Sequence, residues 1–94
     1  MRNWKNPYLI VRDDGIGLLD LSNDEIHLLK PEEVPAALAA LPSSAWPYGR
    51  VVAVQENRVG RPTEAYKIQI RRNRALLAGT LEGLKIEINW VPSA

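Results

Sequence analysis

The fold depends on residues 63–84, whose sequence is TEAYKIQIRRNRALLAGTLEGL. Residues 66–70 alternate between apolar and polar side chains, as a half-buried strand does. Over the whole stretch, however, five apolar side chains recur at helical spacing and fall within an arc of about 60° when each residue advances by about 100°. These five are Tyr66, Ile70, Leu77, Leu81 and Leu84. A strand here would make the domain mostly β, whereas a helix makes it mixed.

We predict a single helix over residues 63–82 with defined ends. Thr63 is a suitable N-cap, because its hydroxyl can accept a hydrogen bond from a free backbone N–H of the first turn. Gly83 is predicted to follow the last turn in the left-handed conformation. Two residues fit this helix poorly: Asn73 falls inside the apolar arc, and Ile68 points away from it.

Two β-favouring runs lie near the N-terminus, YLIV at residues 8–11 and IGLL at residues 16–19. Asp14-Gly15 between them is typical of a type I′ turn, in which both central residues have positive φ. We therefore predict an antiparallel hairpin. The next apolar run, residues 26–29, fits either a third strand or the approach to a helix, and both alternatives stay open.

A first helix is predicted to begin at Pro31, since proline at the first helical position loses no needed hydrogen bond. Val34, Leu38 and Leu41 recur at positions i, i+4 and i+7 and form one buried stripe. Pro42 is predicted to end the helix, because proline cannot continue the hydrogen-bond pattern.

Two further strands complete the pattern. The sequence VVAV at residues 51–54 is apolar on both faces, which is typical of an inner strand. Residues 84–90 alternate, with Ile86, Ile88 and Trp90 on one face. The prediction is an α/β (α+β) two-layer sandwich, in which a four- to five-stranded mixed sheet carries two helices on one face.

Length and composition set the limits of this prediction. The chain has 94 residues, of which 46% are apolar, and a net charge of +1, which suits one domain with one modest core. We expect a single domain at residues 8–91, with a stub at residues 1–7 and a tail at residues 92–94. The chain has no cysteine, which excludes disulfides, zinc-thiolate sites, iron–sulfur clusters and a thiol nucleophile. No apolar run approaches the roughly 20 residues of a membrane-spanning helix, so we expect the chain as given to be soluble.

Residues that could support catalysis are few. His27 is the only histidine, and its apolar neighbours favour a structural or surface role. The acidic residues near the hairpin match no metal-ligand spacing and are better explained as turn-forming and solubilising groups. These residues are Asp13, Asp14, Asp20, Asp24 and Glu25. We predict that the domain is not an enzyme and has neither a cofactor nor a tight metal site.

Two groups of side chains are candidates for contacts with a partner. The densest basic segment, residues 58–74, includes Arg71, Arg72 and Arg74, which could contact phosphates or an acidic partner. A solvated helix face is the favoured interpretation, because exposed aromatic residues are not interleaved, and no nucleic acid is expected as a partner. Trp46 and Tyr48 form the second group, although aromatic residues in such a loop more often cover the core.

The order of these elements resembles the periplasmic domain of the ExbD/TolR biopolymer-transport family. The resemblance rests on LKPEEV at residues 29–34 with the helix after it, on the strand at residues 50–54, and on LEGLKI at residues 81–86 before Trp90. It covers about residues 8–91 and is one of order and hydrophobic pattern.

The resemblance implies a periplasmic, homodimeric accessory subunit of an ion-driven inner-membrane motor, with ExbB/TolQ-like and TonB/TolA-like partners. The essential acidic residue of the family lies in a transmembrane helix without a counterpart in this sequence, so no functional residue is carried across. Partner binding is expected at a sheet edge or the open sheet face. The edge candidates are the N-terminal hairpin and the last strand, with Ile86, Ile88 and Trp90. The alternative is a soluble cytoplasmic binding or regulatory domain, whose arginine-rich helix could contact nucleic acid.

Overall fold

A computed structural model describes residues 4–21 and 24–92. The stub predicted at residues 1–7 and the tail at residues 92–94 therefore lie partly outside the described residues. Within the described ranges the chain forms five strands and two α-helices, with a 3-10 turn at Pro31–Glu33 and another at Ser43–Ala45. In chain order these are β1 (Tyr8–Arg12), β2 (Gly15–Asp20), β3 (Glu25–Leu29), α1 (Val34–Ala39), β4 (Val51–Glu56), α2 (Glu64–Gly83) and β5 (Glu87–Val91).

All five strands belong to one mixed sheet with the order β3-β2-β1-β4-β5. Strand β2 runs antiparallel to both β1 and β3, whereas β4 runs parallel to β1 and to β5. The open choice for residues 26–29 is therefore decided in favour of a strand. The inner position of β4 is confirmed, and β5 lies at an edge as predicted. The N-terminal hairpin does not lie at an edge, because β1 is the central strand and β3 covers β2.

The two-layer arrangement is confirmed by the core, to which both helices contribute. Strands β1, β2 and β4, together with Ile86 just before β5, supply one side of the core, and α1 and α2 supply the other. The buried residues of this core are Leu9, Val11, Ile16, Val34, Leu38, Val52, Val54, Ile70, Leu77, Leu81 and Ile86. Both helices consequently cover the same face of the sheet.

Helix α2 confirms the helical prediction for the stretch that decides the fold. Thr63 is the N-cap, and its Oγ1 accepts a hydrogen bond from the N–H of Tyr66 at 3.0 Å. Asn73 is buried, and its Nδ2 donates to the carbonyl oxygens of Arg12 at 2.7 Å and Asp13 at 3.3 Å. The polar residue within the apolar arc thus ties the helix to the β1–β2 turn. Ile68 is exposed, as its position outside the arc requires.

The predicted cap at Gly83 is wrong by two positions. Gly83 belongs to the helix, and Lys85 adopts the left-handed conformation with φ 58°. The N–H of Ile86 donates to Leu81 O at 2.9 Å, and the N–H of Lys85 donates to Glu82 O at 3.0 Å, which together form a Schellman motif. This register places Ile86 and Leu81 in the apolar contact that accompanies the motif, and both are buried.

The hairpin turn also differs from the prediction. Asp13 and Asp14 form the two-residue turn, Arg12 pairs with Gly15, and neither aspartate has positive φ, so the turn is not type I′. Gly15 takes φ 147°, and a Cβ placed there would lie 2.4 Å from the carbonyl oxygen of Leu29. The glycine is therefore needed for the close approach of β3.

The first helix and the last strand are shorter than predicted. Helix α1 ends at Ala39, so Leu41 lies beyond it, although its side chain still packs on the core. A residue before proline avoids helical dihedral angles, which accounts for an end ahead of Pro42. Strand β5 begins at Glu87, because the preceding residues form the α2 cap. No helix in the described part of the chain is long and apolar enough to cross a membrane.

Candidate functional site

The face of the sheet opposite the helices carries an apolar patch. Strand pairing places Gly17 between Ile10 and Leu28, and Leu19 beside Ile26. We call Ile10, Leu19, Ile26 and Leu28 the open-face patch. Ile26 lies directly over Gly17, since a Cβ on Gly17 would be 2.7 Å from Ile26 Cγ2. Ile26 is 45% exposed and Leu28 is 49% exposed, so the patch becomes most accessible towards the edge of the sheet.

Strands β3 and β5 form the two edges of the sheet. Neither strand contains a proline, the residue that often prevents pairing at an edge. The N–H of Glu87 donates to Arg50 O in the direction of β4 at 2.9 Å. Because alternate residues of a parallel strand bond to opposite sides, the backbone groups of Ile88 and Trp90 point away from the sheet. Both edges can therefore accept another strand.

The predicted contact residues of the last strand lie on the helix-covered face. Ile86 is 6% exposed and belongs to the core, and Ile88 is half-buried against it. Trp90 is 41% exposed, and the guanidinium carbon of Arg74 lies 4.1 Å from the centre of its ring. Of these three side chains, only Trp90 presents a substantial surface to a partner.

The aromatic residues before β4 divide into a core residue and a surface residue. Trp46 is half-buried and packs against the core. Tyr48 is exposed, and its ring centre lies 5.3 Å from that of Trp4. Beneath them, the fully buried Asn6 accepts from the N–H of Tyr48 at 2.9 Å and donates to Gly49 O at 2.8 Å and to Val51 O at 2.7 Å. Sequence reasoning missed this asparagine, which joins the N-terminal segment to the loop before β4.

The structure separates the three arginines of the predicted basic patch. Arg71 and Arg74 line a cleft of about 640 Å³ between α2 and the loop after β4, and Arg72 does not line it. Arg58 and Lys67 complete the basic lining. We call this cleft the basic cleft. One acidic residue, Glu56, also lines it, and its Oε1 lies 2.6 Å from Arg74 Nη1.

The remaining titratable groups are dispersed. The side chain of His27 lies on exposed β3 and lines a cavity of about 290 Å³ with Lys5 and Asp20. Within residues 4–21 and 24–92, no three histidine or acidic side chains are close enough to hold a metal ion. Burial raises the pKa of Tyr8, whose hydroxyl donates to Gln55 Oε1. The predictions about catalysis and metals stay predictions.

The fold and these surfaces together define a small α+β domain with two open sheet edges, an apolar open face and a basic cleft. No protein-family model, curated protein or solved structure matches the chain. The resemblance to the ExbD/TolR family is therefore neither supported nor opposed by these comparisons and stays a prediction.

Proposed function

We propose that this domain is a non-catalytic interaction module that pairs with a second copy of itself through β3. The observation that carries the proposal is the open-face patch, which reaches the edge of the sheet at Ile26 and Leu28. Edge strands usually carry charged residues or proline that discourage pairing. On the open face, β3 instead carries two half-exposed aliphatic side chains.

The sequence of β3 suits pairing with its own copy. An antiparallel pair of β3 strands centred on His27 places Ile26 of each copy opposite Leu28 of the other. Such a contact is two-fold symmetric and closes after two chains. The open-face patches of the two copies would then form one continuous apolar surface across a ten-stranded sheet.

The association is expected to be weak. Ile26 and Leu28 stay on the open face of the extended sheet, so pairing covers only their flanks, and each cross-strand pair contributes about 0.2–1 kcal/mol. The two Ile26–Leu28 pairs contribute about 0.4–2 kcal/mol together, and the backbone hydrogen bonds add about 0.5–1.5 kcal/mol each. The loss of translational and rotational freedom costs about 4–15 kcal/mol. The gains and this cost nearly cancel, so we expect a dissociation constant no tighter than the micromolar range.

Sedimentation equilibrium of a Leu28→Lys variant tests this proposal. We expect the variant to weaken self-association by about 10-fold or more, because it places two ammonium groups in the apolar contact. Leu76→Lys is the matched control, since Leu76 on α2 is also 49% exposed but lies on the other layer. A protein that is monomeric at every concentration, or one that responds to the control instead, would reject pairing through β3.

Salt dependence distinguishes this association from one that uses the arginines. Backbone pairing should depend only mildly on ionic strength, and it should survive the combined replacement of Arg71, Arg72 and Arg74 by alanine. Binding to nucleic acid would weaken steeply as salt rises, because phosphate contacts release counterions. A monomer that binds DNA at low salt would favour the alternative, a cytoplasmic nucleic-acid-contacting domain.

The more specific part of the proposal is an accessory role in an ExbD/TolR-like complex of the bacterial inner membrane, with the domain in the periplasm. It is supported by the order of elements, by the sequence LKPEEV at residues 29–34 and by the pairing edge. The coding sequence upstream of residue 1 provides the test. An apolar stretch of about 20 codons with one aspartate would support this role, and an upstream stop codon would reject it.

A further inference from the structure

The basic cleft has an excess of positive charge. Among the described residues, Arg58, Lys67, Arg71 and Arg74 line it together with a single carboxylate, Glu56. Lys67 pairs with Glu64 at 3.3 Å and Arg74 pairs with Glu56 at 2.6 Å. Within the described part of the chain, Arg58 and Arg71 form no ion pair. Two guanidinium groups are thus available to an anion.

The position of the cleft in the fold suits ligand binding. It begins where β4 ends at Glu56, beside the parallel strands β1 and β5. Asn57 continues from β4, and its N–H donates to Val11 O at 2.8 Å, which anchors the start of the loop to β1. Ligands of open α/β sheets bind beyond the carboxyl ends of parallel strands, where loops and helix ends meet. This cleft lies at that end of the three parallel strands.

One wall of the cleft is aromatic and already fixed in place. The hydroxyl of Tyr66 donates to Asn57 O at 2.9 Å, which holds the ring between α2 and the loop after β4. Ile70, Val59 and Pro62 extend the apolar lining. The volume of about 640 Å³ falls within the range of about 300–1,000 Å³ that is usual for small-molecule sites.

We propose that the basic cleft binds a small phosphate monoester with a planar organic body. The phosphate dianion interacts with Arg58 and Arg71, because guanidinium groups bind phosphate oxygens through paired charge-assisted hydrogen bonds. The planar body packs against Tyr66 and its apolar neighbours. This inference goes beyond the interaction module proposed above and does not depend on self-association through β3.

Calorimetric titration with adenosine 5′-monophosphate tests the proposal, and backbone amide shifts locate the contact. We expect saturable binding, with shifts concentrated at residues 56–74. Arg71→Gln should weaken the affinity by about 10-fold or more. Arg72→Gln is the matched control, because this neighbouring arginine is exposed and lies outside the cleft. Its affinity should equal that of the unmodified protein, and thermal melting confirms that both variants fold.

Further probes separate the parts of the ligand. Glucose 6-phosphate and inorganic phosphate should bind at least about 10-fold more weakly than the nucleotide, because neither has a planar body to contact Tyr66. Equal binding of all three probes, or an equal loss in both arginine variants, would overturn the proposal. Tighter binding of a single-stranded DNA oligonucleotide that lacks a terminal phosphate, with steep salt dependence, would overturn the proposal in favour of a nucleic-acid site.

Discussion

Replacement of Asn73 provides the sharpest test of how the two layers are joined. This side chain is 4% exposed in the apolar arc of α2, and its Nδ2 donates to the carbonyl oxygens of Arg12 and Asp13 in the β1–β2 turn. Helical periodicity alone would place an aliphatic residue there. The hydrogen bonds predict the opposite outcome, which is that Asn73→Leu destabilises the protein although it completes the apolar stripe.

The size of the effect follows from the two bonds. Each contributes about 0.5–1.5 kcal/mol, and a buried carbonyl left without a donor costs about 1–3 kcal/mol. Because the turn is partly exposed, water can replace part of the loss, and we expect Asn73→Leu to cost about 1–3 kcal/mol. Asn73→Asp should cost more at neutral pH, since a carboxylate cannot donate to the two carbonyl oxygens. Its penalty should shrink in acid, where the protonated carboxyl group can donate.

Urea denaturation followed by circular dichroism measures these differences, and thermal melting provides a second measurement. A loss of 1 kcal/mol lowers the melting temperature of a domain this size by about 4–8 °C. Arg72→Ala is the control, because an exposed position on the same helix should change stability by less than about 0.5 kcal/mol. If Asn73→Leu were as stable as the unmodified protein or more stable, the two hydrogen bonds would not join the layers as described.

Three further substitutions test the core, the hairpin and the N-terminal segment by urea denaturation. Leu77→Ala should lower the free energy of unfolding by about 2–5 kcal/mol, because the side chain is fully buried between helix and sheet. A smaller decrease would contradict its core position. Gly15→Ala should lower the free energy of unfolding by more than about 1 kcal/mol, because the added Cβ would collide with Leu29 O. Its control, Gly79→Ala, lies on the open surface of α2 and should raise the free energy of unfolding by about 0.5–1 kcal/mol. Equal effects of the two substitutions would show that the close approach of Leu29 O does not require the glycine. Asn6→Ala should lower the free energy of unfolding by about 1–3 kcal/mol and increase the rate of amide hydrogen exchange near residue 48. Unchanged exchange would show that the Asn6 hydrogen bonds do not hold the N-terminal segment against the loop before β4.

The elements that sequence predicts well are those whose pattern is local. Helix α2 has 20 residues with its apolar side chains in one arc, and Thr63 marks its start, so the helix could be predicted despite the alternation at residues 66–70. The VVAV run at residues 51–54 predicts an inner strand because it is apolar on both faces. In each case the spacing of residues within one element carries the information.

The features that sequence predicts poorly depend on distant parts of the chain. Position 15 must be glycine because Leu29 O of β3 occupies the space of a Cβ. Lys85 takes the left-handed conformation because a helix end at this position buries Ile86 in the core. Sheet order is another such feature, since the pairing of β1 with β4 decides which strands are edges. The exposed pair Ile26 and Leu28 could not be assigned to an edge before this pairing was known.

The basic cleft likewise depends on distant contacts and could not be predicted from the sequence. The sequence indicates the density of basic residues on α2 but treats Arg71, Arg72 and Arg74 alike. Only the loop after β4, which packs against the first half of the helix, distinguishes the arginines that line the cleft from the one that does not. Loop position is set by tertiary contacts such as the bond between Tyr66 and Asn57 O, which no local pattern contains.

The central position of β1 has a consequence for synthesis on the ribosome. Tyr8 pairs with Leu19 on one side, but its partner on the other side, Ala53, follows 45 positions later in the chain. The hairpin is complete at Asp20, 33 positions before Ala53, so at about 5–20 residues per second it waits about 2–7 s for that neighbour. During this interval the middle strand of the finished sheet is itself an unpaired edge. Slow codons between β3 and β4 should therefore increase aggregation, whereas slow codons after β5 should not.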